Sequence, residues 1–474
     1  MGVTDRAAGG PLGDGAPVDE GAATGSQGRE PDRLLSACLG RRDLEELAVD
    51  VRRDTQSRGV CFGSPEQAQE FRIDPVPRLI DALEWHELQV GIAQRVHALE
   101  RFLLDIYGER RIVDAGVVPV AAIETANHYE PLLQGTGGEI GTWVTVAGLD
   151  IVRDSDGAFK ALEDNLRTPS GIAYAVAARE IVAARLPPPP GVDVRSLDGA
   201  LDLLGRGLRA AAPARAGGEP TVILLTDGER NSAYYEHATI ARSLGLPLVQ
   251  VGQLSLRRGR LHARIGDGQR PVDVVYRRTD EDRLTAGDGG PTAIGELLLE
   301  PIRRGTLACV NAFGTGVGDD KLIHAYVEEM VRFYLGEEPL LRSVATYDPG
   351  DPETLQMILD RLDELVIKPR SGHGGYGVLI GPHARADDIE RTAVALRAAP
   401  HDYVAQEMVM LSRHPTVVGG TLEPRHIDLR SFAVQAGETV EVLPGGLTRV
   451  AFERGALVVN SSQNGGSKDT WVLT

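Results

Sequence analysis

The spacing of apolar residues changes character several times along the chain. Over 86–104, apolar side chains return at steps of three and four, which predicts one face of an amphipathic helix. The whole stretch 32–107 has this helical texture. It then gives way to two runs that predict strands, 142–152 and 158–165, and to a helix over 171–185 that stops at the prolines of 187–190. From 221 the chain alternates. A short apolar run at 221–225 predicts a buried parallel strand, 234–244 a helix, and 248–251 and 272–276 further strands. This β/α alternation predicts a doubly wound sheet over 195–345. The last third carries a helix at 353–363, then strands separated by Gly and Pro. Residues 1–30, rich in Gly, Ala, Asp and Glu without apolar periodicity, predict a disordered tail. The expected organisation is 1–30 tail, 31–190, 191–345 and 346–474, with an α/β fold class that includes α+β elements.

Composition narrows the function classes. A chain of 474 residues has room for two to four lobes. Aromatics are 5% of residues, so the core must rest on Leu, Val, Ile and Ala. A net charge of −18 argues against nucleic acid as a partner, since backbone binding needs surplus Lys and Arg. Cys38, Cys61 and Cys309 show no CxxC spacing, which predicts inert thiols in a reducing compartment rather than a disulfide framework or a zinc site. No apolar run reaches the ~18 residues of a membrane span, and no basic-then-apolar leader opens the sequence, so the expected location is the cytoplasm.

Four segments carry candidate chemistry. The strands at 147–165 join at Asp154-Ser-Asp-Gly157, where Asp-Gly predicts a tight two-residue turn. Ser155 then faces Ala158, and counting back along both strands sets Asp150 opposite Glu163. Asn165 lies on the same face, while Leu149 and Ile151 face Leu162 on the core side. Two opposed carboxylates repel unless neutralised, and Mg²⁺ prefers such oxygen ligands. A solvated acidic hairpin is the alternative. In the second segment, Glu364-Leu-Val-Ile-Lys368-Pro-Arg-Ser-Gly-His-Gly-Gly-Tyr-Gly377, a strand delivers Lys368 to a turn whose glycines let backbone N–H groups approach phosphate oxygens. A flexible hairpin is the alternative here. Third, Gln406 and Glu407 end a strand and could meet an adenine edge and a ribose, unless this is an ordinary edge strand. Fourth, Arg430 and Arg449 sit on predicted strands, where an Arg can stabilise charge developing on phosphate oxygens. A salt bridge such as Arg430 with Asp428 is the competing use.

Together these segments resemble the ATP-grasp superfamily in altered order. The lysine strand, glycine loop, Gln-Glu hinge, Asp428-x-Arg430 strand and Arg449 follow the usual sequence. The final piece, Asp150…Glu163-x-Asn165…Pro169-Ser-Gly171, instead lies near the N-terminus. Moving 127–180 behind Thr474 restores the usual order, so the chain resembles the circularly permuted ATP-grasp family, type 2, a glutathionylspermidine-synthetase-like group. The resemblance extends to Arg58-Gly-Val-Cys-Phe-Gly63, Asn311-Ala-Phe-Gly-Thr-Gly-Val317 and Gly465-Gly-Ser-Lys-Asp-Thr-Trp-Val-Leu473. It implies a Rossmann-like domain inserted before the lysine strand, helping to bind the acceptor. It implies ATP held by Lys368, by the loop Gly372, His373, Gly374 and Gly375, and by Gln406 and Glu407. One or two Mg²⁺ ions would sit on Asp150, Glu163 and Asn165, and Arg430 and Arg449 would hold the γ-phosphate and acyl phosphate. The implied activity joins a small-molecule or peptide carboxylate to an amine. A non-catalytic nucleotide binder and a small-molecule kinase are the other readings. The second phosphate-binding lysine of many relatives has no clear counterpart upstream of Lys368.

Overall fold

The computed structural model describes residues 18–20, 30–63, 69–371, 377–456, 459 and 465–474. A central sheet runs in the order Ile73–Ile80, Gly466–Val472, Thr439–Val450, Thr421–Ala436, Val146–Arg153, Phe159–Asn165, with Arg413–Val418 also paired to Thr421–Ala436. Its first pair is parallel and the others antiparallel. Strands from the beginning of the chain therefore flank strands from its end.

A second sheet is wholly parallel, in the order Ala308–Val310, Val274–Arg278, Val222–Thr226, Leu248–Val249. Val222–Thr226 and Val274–Arg278 are buried along their full length, as the continuous apolar run at 221–225 predicts. A third, antiparallel sheet orders Thr346–Tyr347, Tyr403–Glu407, Leu365–Pro369, Leu379–Ile380 and packs with helices Pro352–Asp360 and Ala386–Ala398 around its own small core. The predicted helix at 86–104 belongs to Ala82–Ile106. Asp81 caps it by accepting the Glu84 N–H at 2.8 Å, and its stripe from Trp85 through Leu88, Ile92, Val96 and Leu99 to Phe102 enters the main core.

Two expectations need correction. The helical texture of 32–107 hides a strand, Ile73–Ile80, buried at every position. Pro75 and Pro77 argue against a central strand because they cannot donate to a ladder. The strand escapes that rule by lying at the end of the central sheet, paired there only with Gly466–Val472. The predicted tail is also not all loose: Glu20 is buried and accepts from Arg78 at 2.7 and 2.9 Å and from Arg153 at 3.0 Å. Burial pushes the Glu20 carboxyl up, and the two guanidiniums outweigh it and hold it below the usual carboxylate range. Residues 1–17 and 21–29 of that predicted tail lie outside the described residues.

The hairpin differs from expectation in a way that preserves its result. Its loop has three residues, Ser155, Asp156 and Gly157: the Asp154 N–H donates to the Ala158 carbonyl at 3.0 Å, and Gly157 takes φ +83°. That shifts the pairing by one, so Ile151 faces Ala161. Leu162 is then an extra residue that shifts it back, and Asp150 faces Glu163 after all. The bulge falls where Ala161 turns its other edge to the neighbouring segment, donating to Arg342 O at 2.8 Å and accepting from the Val344 N–H at 2.9 Å. Leu162, expected on the core face against Ile151, lines a cleft instead.

Between Glu163 and Asn165, Asp164 points the opposite way. It accepts from Arg95 Nε at 2.6 Å and Nη2 at 2.7 Å and contacts His324 Nδ1 at 2.8 Å, all buried. Because side chains alternate along a strand, this ion pair fixes the outward direction of Glu163 and Asn165. Arg95→Met should lower stability by about 3–5 kcal/mol, since it leaves the Asp164 carboxylate buried without its partner. Denaturant unfolding measures this, and an unchanged midpoint would remove the anchoring role.

Candidate active site

One face of the central sheet carries a row of charges. Register pairs Asp428 with Arg449, Arg430 with Asp150 and Asp150 with Glu163, so these five side chains lie across four adjacent strands. Arg430 grips Asp150 through Nε at 2.6 Å and Nη2 at 2.8 Å. Arg449 donates Nε to Asp428 at 2.8 Å and Nη2 to both Asp428 and Asp150. Burial pushes Asp150 up, but the two guanidiniums bring it down to about 2. Asp428, held by Arg449 alone, stays pushed up by burial. The salt bridge weighed for Arg430 with Asp428 forms with Asp150 instead, because cross-strand neighbours are closer than residues two apart on one strand.

This row is the floor of a cleft of about 480 Å³. Asp150, Glu163, Asn165, Arg430 and Arg449 line it from below, and Lys368, Gln406 and Glu407 line it from the third sheet. Lys368 stands on Leu365–Pro369, opposite Val404, and donates to Gln406 Oε1 at 2.6 Å. Gln406 in turn donates to Thr346 at 2.9 Å. Burial pushes the Lys368 ammonium down; the Glu163 carboxylate across the cleft opposes this and the Lys321 charge adds to it. Val366, Val378, Ile380, Met408, Val409 and Leu411 give the cleft an apolar part. The expected glycine loop, Gly372, His373, Gly374 and Gly375, lies outside the described residues. Its entry is anchored by Arg370, which donates to Asp320 and Thr125 at 2.6 Å each and to the Ala122 carbonyl.

Two expectations change in detail. Glu407 is engaged elsewhere: Tyr347 donates to it at 2.7 Å and Arg361 at 2.9 and 3.1 Å. The carboxylate expected near a ribose is thus neutralised by Arg361, while Gln406 turns to Lys368. Asp150 was expected to share a cation with Glu163. Its charge is met by Arg430 and Arg449, which leaves Glu163 and Asn165 as the oxygen donors of that trio not bound to an arginine. Asn165 Nδ2 is buried with no hydrogen-bond partner.

Sequence reading missed several contributors. Lys321 lines the cleft with Lys368. It follows the glycine-rich stretch 314–318 and Asp319-Asp320, well before the Lys368 strand, so a search for a second lysine beside the Lys368 motif passes over it. Asp319 accepts the N–H groups of Leu166 and Arg167 at 2.5 and 3.0 Å, and burial pushes it up to about 7. Asn311 accepts from the Thr145 and Val146 N–H groups at 2.9 Å each and donates to the carbonyls of Val146 and Leu166 at 2.6 and 2.5 Å. One side chain thus ties the start of Val146–Arg153 to the residue after Phe159–Asn165.

The family model for circularly permuted ATP-grasp type 2 matches residues 77–451. The chain belongs to the circularly permuted ATP-grasp type 2 family. Among relatives, a Frankia casuarinae protein named "Putative glutamate--cysteine ligase 2-2" is 45% identical over 96% of this chain and 53% of its own length. An uncharacterised Mycobacterium tuberculosis protein is 42% identical over 94% of this chain and 82% of its own length. The chain thus spans about half the length of the ligase-named relative. Among solved structures, a glutathione synthetase-like effector from Globodera pallida, in its apoform, matches with a TM-score of 0.58 at 12% identity, covering 94% of this chain and 98% of that one. That likeness concerns the fold. The permuted ATP-grasp arrangement accounts for the mixed sheets and for the strands from both ends of the chain meeting at one cleft.

Gly148 supplies a prediction about this floor. It pairs with Asn165, and a Cβ there would lie 2.8 Å from Cβ of Pro169 and 3.8 Å from Cδ of Arg430. Gly148→Val should force Pro169 and the Ser170-Gly171 turn away from the arginines, at a cost of about 1–3 kcal/mol. Thermal melting is the measure, and a wild-type melting curve would contradict the close packing.

Proposed function

We propose that the chain binds Mg·ATP in the 480 Å³ cleft and activates a carboxylate as an acyl phosphate, which an amine then attacks to form an amide. One observation carries this reading: Lys368, Glu163, Asn165, Arg430 and Arg449, from segments hundreds of residues apart and in permuted order, line a single cleft. The ligase name of the Frankia relative belongs to the same reaction class, and its substrates are not transferred to this chain.

The donor set suits a hard divalent ion. Mg²⁺ is bound through one or two carboxylates together with substrate phosphates and water, so Glu163 and Asn165 suffice on the protein side, with Asp150 behind them. When bound, the ion would neutralise charge on the β- and γ-phosphates.

The protein's own groups act by position and charge. Lys368 and Lys321 hold phosphate oxygens against the floor. The apolar part, ending in Met408 and Val409, takes the adenine ring. Arg430 and Arg449 stabilise the transferred phosphoryl group and the acyl phosphate that receives it. Asp150 and Asp428 keep both guanidiniums aimed at the cleft, so no reorganisation is needed as charge develops. The carboxylate oxygen attacks the γ-phosphorus, ADP leaves, and the amine nitrogen then displaces phosphate at the carbonyl carbon. Neither step requires a protein nucleophile, which suits three cysteines that are free thiols, two of them buried.

Glu163→Gln and Lys368→Ala should each reduce ATP turnover by at least about 10²-fold without changing the thermal melting point. Coupled ADP release with a carboxylate and amine panel tests this, and hydroxylamine trapping should yield a hydroxamate. Wild-type turnover in either variant would sink the assigned roles. ADP release without hydroxamate would favour phosphorylation of a hydroxyl. Lys321→Ala should raise the KM for ATP on the order of tenfold, and an unaltered KM would remove Lys321 from the nucleotide site.

A further inference from the structure

A second pocket, of about 230 Å³, opens from the same arginine pair. Arg430 and Arg449 line both cavities, so they form the boundary between the nucleotide cleft and this pocket. The rest of the pocket comes from other elements. Ser170 and Gly171 follow the metal-ligand hairpin. Arg278 ends the strand Val274–Arg278, and Asn231 and Asp280 lie past the carboxyl ends of Val222–Thr226 and Val274–Arg278, where open parallel sheets bind ligands. Phe62 belongs to the Arg58–Gly63 segment, which the nucleotide site leaves unused.

The pocket has two poles. At the cleft end stand the two arginines. Beside them, Arg278 is buried and donates to Pro169 O at 2.8 Å, to Ser170 Oγ and to Glu236 at 2.9 Å, while its buried Nε has no partner. Glu236 also accepts the N–H groups of Gly171 and Ala173 at 2.8 and 3.1 Å, which fixes this wall. The other pole is acidic. Asn231 donates to Asp280 at 3.0 Å and to Asp227 at 3.4 Å, and the Asp280 N–H donates to Asp227 at 2.6 Å. Asp280 is exposed at the rim, and desolvation followed by the Asp227 and Asp282 carboxylates pushes it up. Asp282 is met by Arg167, but Asp280 has no ion pair among the described residues. Phe71 and Tyr174 also line the pocket, pack with ring centroids 4.5 Å apart and offer an apolar side.

Resting on the ligase reading, we propose that this pocket seats the carboxylate substrate and that the substrate is a zwitterion, an α-amino acid or short peptide. Its carboxylate meets Arg430 and Arg449, and its ammonium group meets Asp280. The shared arginines carry the first half, because a carboxylate resting on them from the pocket side faces the γ-phosphate held from the cleft side, as in-line attack requires. The acidic pole carries the second half. The size agrees: 230 Å³ lies below the roughly 300–1,000 Å³ of pockets that take drug-sized ligands. A purely cationic occupant would meet three arginines, and a purely anionic one would meet Asp280.

The test uses the full chain with Mg·ATP. The twenty amino acids and the glycyl dipeptides are each compared with their desamino analogues, by hydroxamate yield and by calorimetric binding. The expected result is a hydroxamate from at least one ammonium-bearing acid, with its desamino analogue bound on the order of tenfold more weakly. Asp280→Asn keeps a side chain for Asn231 and should erase that preference through KM rather than kcat. Equal use of both members of each pair, or an equal loss for both in Asp280→Asn, would overturn the pocket assignment and leave the ligase reading standing. Ammonium-dependent binding without any ADP release would support the pocket and overturn the ligase reading. Neither binding nor turnover across the panel would overturn the zwitterion proposal.

Discussion

The site depends on neutralising charge on a buried face of the central sheet. Asp428, Arg449, Arg430 and Asp150 occupy adjacent cross-strand positions, three of them almost fully buried. A carboxylate there without a partner would protonate or unfold its surroundings, and a guanidinium would be equally costly. Alternating signs across Thr439–Val450, Thr421–Ala436 and Val146–Arg153 satisfies both, and it does so only in one register. A slip of one residue would turn every one of these groups to the opposite face, into the apolar core. The charge row and the strand register therefore specify each other, and the cleft floor inherits its geometry from that agreement.

The same constraint explains why permutation is tolerated. What the floor needs is antiparallel neighbours in fixed register, and register is set by hydrogen bonds and side-chain pairs that do not depend on which strand comes first. Val146–Arg153 and Phe159–Asn165 reach the sheet early in the chain, yet they pair with Thr421–Ala436 as a following hairpin would. Asn311 and the Arg95–Asp164 pair hold that hairpin from below. Asn311 and Arg95 come from segments outside the central sheet, so the hairpin is anchored by packing rather than by chain continuity.

Much of this was legible in the sequence, for identifiable reasons. Period-two alternation made Asp150, Glu163 and Asn165 share a face, and the Asp-Gly turn set their register nearly correctly. The turn was one residue longer than read, and the bulge at Leu162 compensated. A bulge is set by the partner on the far edge, here the 342–344 segment, which no local pattern announces. Continuous apolar runs gave the parallel sheet. The strand Ile73–Ile80 was hidden within the helical texture of 32–107, and its edge position makes its two prolines harmless. Lys321 stands apart from the lysine-strand motif and Arg361 carries no local signature, since each matters through what it faces across the fold. The cross-strand pairing of Arg430 with Asp150 was likewise invisible without the sheet order.

In the proposed reaction, the arginine pair also decides how the two reactants would meet without a covalent enzyme intermediate. An acyl phosphate forms only when a carboxylate and a phosphoryl group, both anionic, come together, and their repulsion is part of the barrier. Guanidiniums already oriented by Asp150 and Asp428 lower that repulsion with little rearrangement, because their dipoles and charge are fixed before substrate arrives. Had Arg430 and Arg449 lined the larger cleft alone, a carboxylate in the proposed reaction would have had to enter past the triphosphate. Lining two cavities at once, they would, in the proposed reaction, let each reactant arrive from its own side and meet at the charge that both require.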